Sequence, residues 1–286
     1  ILEAEGQNAQ LAEILTRIGT LSEDAEERER TLVKLAELAE NVLRDSERAI
    51  FAWEKLLSTS FQHEALVALQ RLYDSADRPV DLALILLQRE SVESDPATRM
   101  SFAFVAAETI TKRTEETDRA IAMWTRFVST YGGDRRAYAY VSSLLEGERR
   151  WQDLASVLTD DAKIAPVEER PAIYARLGLV HLTRLRNVGA AISAFEEALS
   201  IDPNEPMSRD TLEKLLSEGD HRLSAARVLE GVYRTGESPS HAAGLLRVLD
   251  AKALFAESWE ERLESEREAF GVAAGERALL SANRGL

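Results

Sequence analysis

Apolar residues recur along this chain at steps of three and four, the spacing of one face of an α-helix. In the stretch 166–199, for example, Ile173, Leu177 and Val180 share one face, and a polar break at 186–189 precedes a second helical run. Strict alternation of apolar and polar residues over five or more positions is absent, so the pattern predicts no strand. The pattern therefore predicts an all-α protein built from amphipathic helices.

The pattern also repeats along the chain. Ala-Ile-Phe-Ala-Trp at 49–53 returns as Ala-Ile-Ala-Met-Trp at 120–124 and as Ala-Ile-Ser-Ala-Phe at 191–195, a step of 71 residues each time. A second set of similar five-residue segments starts at positions 11, 82, 154 and 225. The starting positions of the segments in both sets are called anchors here. Interleaved, the seven anchors have gaps that alternate between 37 or 38 and 33 or 34 residues. Each gap accommodates two helices, so we expect about eight stacked hairpins whose first helices are alternately long and short.

One hairpin carries a recognisable motif. The chain reads Tyr-x2-Leu-Gly-x2-His at 174–181, then Ala-x3-Phe at 191–195, and then Pro203. This resembles the tetratricopeptide pattern W-x2-L-G-x2-Y, A-x3-F, P, which has a period of 34 residues. The half-tetratricopeptide variant is an alternative family, because some first helices are long. The resemblance implies a right-handed α-solenoid over residues 1–250, with a concave groove that binds peptides or partner proteins.

The segment 251–286 departs from the repeat. At the 71-residue step from Ala191 the chain reads Arg-Leu-Glu-Ser-Glu (262–266), which does not match Ala-Ile-x-x-Phe. The residues around this position are mostly charged, and the end repeats of a solenoid need such a surface for solubility. We expect an atypical C-terminal repeat or capping helices here.

Small and large residues occupy repeating positions in the two helices of a hairpin. The sets, each at 71-residue steps, are Ala36, Ala107 and Gly178 in the first helix, and Trp53, Trp124 and Phe195 in the second. A single hairpin cannot bury its own apolar face, so hairpins must stack on their neighbours. We therefore interpret both sets as core residues that let the helices approach, rather than as a cage for a ligand.

Composition narrows the classes of function. The 286 residues include 35 Lys and Arg against 50 Asp and Glu, a net charge of −15, which disfavours nucleic acids and anionic membranes. The absence of cysteine excludes disulfides and thiolate metal sites. The compartment stays open between cytoplasm and periplasm. Because the sequence begins with Ile1 rather than Met, we expect it to be part of a longer protein.

Candidate chemistry is sparse. His63-Glu64 begins like the zinc motif H-E-x-x-H, but Val67 occupies the position of the second histidine. His181 replaces the family tyrosine within a packed helix, which indicates a hydrogen-bonded core histidine. The chain contains no P-loop and no G-x-S-x-G or G-x-G-x-x-G motif. We expect a protein that is not an enzyme and that holds no cofactor or metal.

The resemblance also implies which residues line the groove, namely those about one turn from each small packing residue. These predicted partner-binding residues are Val33, Glu37, Glu40, Asn41, Phe104, Glu108, Thr111, Lys112, Ala175, Leu179, Leu182 and Thr183. The face is acidic near the N-terminus and becomes apolar towards the middle of the chain. The expected partner is a peptide or protein segment with Lys or Arg at one end and aliphatic residues at the other.

The predicted function is therefore a non-catalytic protein–protein interaction scaffold. Two alternatives remain. The first is a structural spacer in a large envelope or motility assembly, for which apolar ends would be typical. The second is a regulatory arm of a larger multidomain protein.

Overall fold

The computed structural model of this chain describes residues 2–217, 221–235, 239–254, 267–269 and 271–273. Throughout these ranges the regular structure is helical, and no strand occurs in them. None of the helices described there is long and apolar enough to cross a bilayer. The chain divides into two compact units, Ile1–Ala137 and Tyr138–Leu286.

The first unit consists of consecutive antiparallel helices joined by short loops. Its helices are α1 (Leu2–Leu21), α2 (Ala25–Leu38), α3 (Ser46–Leu56), α4 (Gln62–Ser75), α5 (Pro79–Val92), α6 (Pro96–Arg113), α7 (Thr117–Tyr131) and the start of α8 (Arg135–Gly147). A π-helical turn, Ala39–Leu43, extends α2. Each helix from α1 to α7 packs against the helix that follows or precedes it in sequence, as expected for an array of hairpins.

The second unit continues the same order. Beyond α8, its described helices are α9 (Trp151–Ile164), α10 (Arg170–Leu179), α11 (Val188–Ile201), α12 (Pro206–Ser217), α13 (Arg222–Thr235) and α14 (Pro239–Leu254), with a π-helical turn, Val180–Arg184, after α10. The seven sequence anchors fall in the odd-numbered helices. The even-numbered helices are therefore the first helices of the hairpins and the odd-numbered helices are the second. This order confirms the predicted all-α helical repeat.

The predicted alternation of long and short first helices is also confirmed. The π-helical turn carries α2 on to Leu43 and α6 has 18 residues, whereas α4, α8 and α12 have 14, 13 and 12 residues. A π-helical turn likewise lengthens α10. The super-repeat of 71 residues is therefore a pair of hairpins, one with a long first helix and one with a short first helix.

The turn between α7 and α8 depends on two consecutive glycines. Gly132 and Gly133 have φ angles of +56° and +62°, which residues with a Cβ atom rarely adopt. The Asp134 side chain then accepts a hydrogen bond of 3.0 Å from the backbone N–H of Arg136, as an N-cap residue does. The Arg136 guanidinium also donates to this carboxylate and lowers the pKa of Asp134.

The small and large repeat positions are buried, and in one hairpin Gly178 and Phe195 are in direct contact. A Cβ atom on Gly178 would lie only 2.4 Å from Cε1 of Phe195. Ala36 and Ala107, at the equivalent positions, are completely buried. The equivalent aromatic residues Trp53 and Trp124 are buried as well, so their interpretation as core residues rather than as a ligand cage is confirmed.

A buried carboxylate joins the second helices α5 and α7. Glu90 accepts three hydrogen bonds of 2.9, 2.8 and 2.9 Å from the Arg126 guanidinium and one of 2.7 Å from the Tyr131 hydroxyl. The hydrogen bond to Glu90 raises the pKa of Arg126, and burial together with Glu90 raises the pKa of Tyr131. Arg126 and Tyr131 together satisfy the charge of the buried Glu90 carboxylate.

The predicted capping segment 251–286 lies mostly outside the described residues and stays a prediction. The described parts of it are the end of α14 and residues 267–269 and 271–273. Ala269 and Val272 pack against the apolar cluster that α11, α12, α13 and α14 form. Glu268 forms an ion pair with Arg234 of α13.

Replacing Gly178 by alanine tests the close approach of α10 and α11. We expect Gly178→Ala to lower the free energy of unfolding by about 1–3 kcal/mol, because the new methyl group overlaps the Phe195 ring. Chemical denaturation measured by circular dichroism provides the value. The matched control is Gly231→Ala on α13, where nothing lies within 4 Å of an added Cβ. The control should be neutral or slightly stabilising, since alanine favours helix more than glycine. Equal effects of the two substitutions on the free energy of unfolding would contradict the close contact between Gly178 and Phe195.

Removing the Glu90 carboxylate tests the link between α5 and α7. We expect Glu90→Ala to lower the free energy of unfolding of the first unit by roughly 3 kcal/mol, because it leaves the Arg126 and Tyr131 donors unpaired and opens a cavity. Chemical denaturation measured by circular dichroism provides the value. The control, Gln88→Ala, changes an exposed side chain on the same helix and should shift the denaturation midpoint little. A Glu90→Ala protein as stable as the wild type would show that the cluster does not join the helices.

Candidate functional site

Of the predicted site residues on α2 and its π-helical turn, Glu40 contacts α4. Glu37 and Asn41 are exposed, and Val33 is half-buried. One carboxylate oxygen of Glu40 accepts the indole N–H of Trp53 at 2.6 Å, and the other oxygen pairs with Arg71 of α4. Glu40 thus already has two internal partners, and its contact with Arg71 places this part of α2 next to α4.

The predicted residues of α6 divide between the core and the surface. Phe104 contacts the rings of Trp124 and Phe127 edge-on, at centroid distances of 5.0 and 5.5 Å. The Arg136 guanidinium lies 4.6 Å from the centroid of the Phe104 ring. Phe104 is therefore part of an aromatic cluster between α6 and α7, with only part of its ring exposed.

The polar residues of the same face have internal partners. The Thr111 hydroxyl accepts the Trp124 indole N–H at 2.8 Å, which repeats the contact of Glu40 with Trp53 one 71-residue step earlier. Lys112 donates to Glu108 at 2.6 Å on the helix surface. These residues thus fix the aromatic core or pair with each other.

The predicted residues of the second unit range from fully buried to exposed. The prediction that Ala175 lines a groove is wrong, because Ala175 is only 1% exposed in a helix that packs between α9 and α11. Leu179 and Leu182 are half-buried against the apolar cluster of α11–α14. Thr183 is exposed, and its hydroxyl donates to the Leu179 carbonyl at 2.7 Å.

A cleft of about 480 Å³ opens in the first unit between the first helices α4 and α6. Its lining residues are Val67, Gln70, Arg71, Asp74, Leu82, Leu86, Arg89, Val105, Thr109 and Arg113. Leu82 and Leu86 belong to α5 and are buried, whereas Val67 on α4 and Val105 on α6 are exposed. The cleft is thus flanked by two exposed valines and borders the buried leucines of the intervening helix.

The polar side chains around this cleft pair with one another. Arg113 donates to Asp74 at 2.6 Å and to Asp77 at 2.8 Å, and these two carboxylates raise its pKa. Arg89 donates to Gln70 and lies 4.3 Å over the ring of Phe102. These contacts hold the charged groups in place around the two valines.

The cleft includes residues that the sequence analysis missed. On α6 its wall is formed by Val105, Thr109 and Arg113, one position after the predicted Phe104, Glu108 and Lys112. The wall on α4 was not predicted, because the prediction counted only from the small residues of the long first helices. A signal was present, since positions 67, 70, 71 and 74 have the spacing of a single helical face.

His181 is partly buried in the second unit. Its Nδ1 atom is buried without a hydrogen-bond partner, which differs from the predicted hydrogen-bonded histidine. Burial lowers the pKa of His181. The ring borders a small cleft that Thr159, Asp160 and Lys163 of α9 also line. Among the residues that the structure describes, no group of three or more His, Asp or Glu side chains is arranged to hold a metal ion.

No protein-family model and no curated protein matches this chain. Among solved structures, YrrB, described as a TPR protein with an unusual peptide-binding site, is 17% identical, with 70% of this chain and 98% of that chain covered and a TM-score of 0.33. The STAND protein PH0952 from Pyrococcus horikoshii, which has a tetratricopeptide repeat sensor, is 14% identical, with coverages of 94% and 48% and a TM-score of 0.30. Yeast Tom70 is 11% identical, with coverages of 96% and 72% and a TM-score of 0.24. The chain resembles tetratricopeptide-repeat proteins in its repeat motif and its order of helices.

The pKa of His181 makes the stability of the second unit sensitive to acid. Burial lowers the pKa of His181 in the folded chain below the ordinary value of 6.5, so the unfolded chain binds more protons below that pH. We therefore expect the free energy of unfolding to fall as the pH decreases from 6.5 towards the lower pKa of the folded state. This contribution should disappear in His181→Gln.

The control for this pH dependence is His221→Gln, because His221 is exposed. Thermal unfolding of the wild type and of both variants between neutral and mildly acidic pH makes the comparison. If His181→Gln and the wild type lost stability in parallel over that range, the acid sensitivity would have another origin.

Proposed function

We propose that this chain is a non-catalytic interaction scaffold that binds a peptide segment of a partner protein at the cleft between α4 and α6. The observation that carries the proposal is the pair of exposed valines, Val67 and Val105, in a cleft with the buried leucines of α5. A volume of about 480 Å³ is in the range of sites that bind small ligands or a few side chains. The polar groups around it pair with each other, so apolar contact is the main attraction available.

The cleft favours aliphatic side chains in the partner. Each Å² of apolar surface removed from water contributes about 25 cal/mol before the costs of ordering the peptide. Val67 and Val105 would supply much of this surface on the scaffold side. The aliphatic part of the peptide therefore provides most of the affinity.

A basic end of the same peptide would lie along α2. Glu40 bonds to Arg71, so α2 adjoins the cleft, and Glu37 lies one helical turn before Glu40 on an exposed position. With Asn41, Glu37 offers an acidic and polar surface next to the apolar cleft. The net charge of −15 attracts basic segments in general, and such exposed charges affect the association rate and orientation more than the affinity.

Two further predicted groups belong to the proposal with smaller roles. On α6, the exposed Lys112, paired with Glu108, lies beside the cleft wall. In the second unit, Thr183 is exposed and Leu179 is half-buried. A partner could contact these two residues of the predicted face.

The test selects peptides from a randomised display library on the purified chain and measures their affinity for variants. We expect the selected peptides to contain aliphatic residues next to Lys or Arg. Val67→Asp combined with Val105→Asp should weaken their binding at least tenfold, because both exposed valines of the cleft become charged. Glu37→Lys should have a smaller effect that salt reduces.

The matched control is Leu84→Asp combined with Val92→Asp, which changes two exposed apolar residues of the same unit that do not line the cleft. This control should retain wild-type affinity. Selected peptides that bind the Val67/Val105 variant as tightly as the wild type would contradict the proposed site. Failure to select any peptide would favour the spacer or the regulatory arm.

A further inference from the structure

Three arginines line the cleft between α4 and α6, and they differ in their partners. Arg71 and Arg113 each form ion pairs with carboxylates of the chain. Arg89 is half-buried and instead donates to the amide oxygen of Gln70, while its guanidinium lies 4.3 Å over the ring of Phe102. Among the residues that the structure describes, no carboxylate pairs with Arg89. Of the three positive charges around the cleft, the charge of Arg89 is thus the one without an opposite charge beside it.

The contacts of Arg89 hold its guanidinium in place and still leave donors available. The Phe102 ring lies against the guanidinium, and Gln70 accepts a hydrogen bond from Nη1. In the described part of the chain, neither Nε nor Nη2 of Arg89 has an acceptor. The N–H groups of Nε and Nη2 point the same way along one edge of the guanidinium, which is the geometry that binds a carboxylate through two parallel hydrogen bonds.

Arg89 continues the row of leucines on α5 that borders the cleft. Leu82, Leu86 and Arg89 follow one another at steps of four and three residues, so they share one helical face. Arg89 lies about 4.5 Å beyond Leu86 along the helix axis. In an extended peptide, side chains on the same face are about 6.6 Å apart, because they are two residues apart in sequence. A peptide with an aliphatic side chain against Leu86 therefore has its next side chain on that face within reach of the long Arg89 side chain.

We infer that Arg89 is a specificity-determining residue of the cleft, which pairs with an aspartate or glutamate located two residues from an aliphatic side chain of the bound peptide. This inference rests on the function proposed above. The aliphatic side chain lies between Val67 and Val105, and Arg89 determines which residue accompanies it. The basic residue proposed to lie along α2 is a separate contact of the same peptide.

The acidic residue provides specificity more than affinity. A neutral apolar side chain in the same place would take water away from the Arg89 guanidinium without replacing its hydrogen bonds. A basic side chain would add repulsion between two positive charges. Peptides that match the apolar part of the cleft are therefore distinguished from one another by the side chain that they bring to Arg89.

The first arm of the test changes the peptide. Peptides selected on the purified chain are synthesised with an acetylated N-terminus and an amidated C-terminus, so that side chains are their only carboxylates. We expect the selected sequences to carry aspartate or glutamate two residues from an aliphatic residue. Replacing this acidic residue by the corresponding amide should weaken binding to the wild-type chain at least tenfold, measured by fluorescence anisotropy.

The second arm changes the chain. Arg89→Gln should weaken binding of the acidic peptide at least tenfold, and it should bind the amide peptide as the wild type does. Arg89→Lys should bind the acidic peptide with intermediate affinity, because lysine keeps the charge but cannot donate two parallel hydrogen bonds. Arg89→Glu should bind a peptide with lysine at the acidic position better than it binds the acidic peptide. The matched control is Arg99→Gln, which removes the charge of an exposed arginine on α6 that does not line the cleft and should bind like the wild type.

The outcomes separate this inference from the proposed function. Peptides that depend on Val67 and Val105 but bind Arg89→Gln as tightly as the wild type would overturn the inference and leave the proposed function intact. If circular dichroism shows that the Arg89 variants are unfolded, the peptide arm decides, and equal binding of the acidic and amide peptides to the wild type would overturn the inference. Peptides whose binding does not depend on Val67 and Val105 would contradict the proposed function and this inference together.

Discussion

The close approach of a first helix to its second helix is the constraint on which the rest of this structure depends. Gly178 has no room for a Cβ atom against Phe195, and the equivalent positions Ala36 and Ala107 are completely buried. The Phe195 ring occupies the space beside Gly178, and the equivalent Trp53 and Trp124 are buried as well. A hairpin formed in this way still has apolar surface on both sides, which it can bury only by stacking on the next hairpin. The repeat of small and aromatic positions therefore produces the array.

The same constraint explains why one repeat position changes its chemistry along the chain. Glu40 and Thr111 each accept an indole N–H, because the aromatic residue thirteen positions later is a tryptophan. At the third equivalent position Leu182 accompanies Phe195, which has no N–H to satisfy, and an apolar residue packs there instead. A buried donor without an acceptor costs about 1–3 kcal/mol, so the acceptor follows the tryptophan. Whether this repeat position holds a polar or an apolar residue thus depends mainly on the aromatic residue it contacts in the core, and less on a binding partner.

Sequence periodicity predicts those features that depend on local burial. The order of helices, the alternation of long and short first helices and the core role of Trp124 all follow from apolar spacing. Apolar spacing does not predict which residues line the open surface of the array, because that surface depends on the distances and angles between neighbouring helices. The wall of the cleft on α6 starts at Val105 rather than at Phe104, and Ala175 is covered on both sides. The π-helical turns after α2 and α10 also depend on packing, since an extra residue can be accommodated in several ways.

The proposed binding cleft follows from the arrangement of the first unit, in which the second helix α5 packs between the first helices α4 and α6. Where both first helices are present, as around α5, their separation leaves the narrow cleft between Val67 and Val105, which suits individual side chains. The exposed charges of this acidic chain are paired or solvated, and such pairs contribute little to affinity. Apolar surface that the repeat leaves uncovered is therefore what would determine where partners bind.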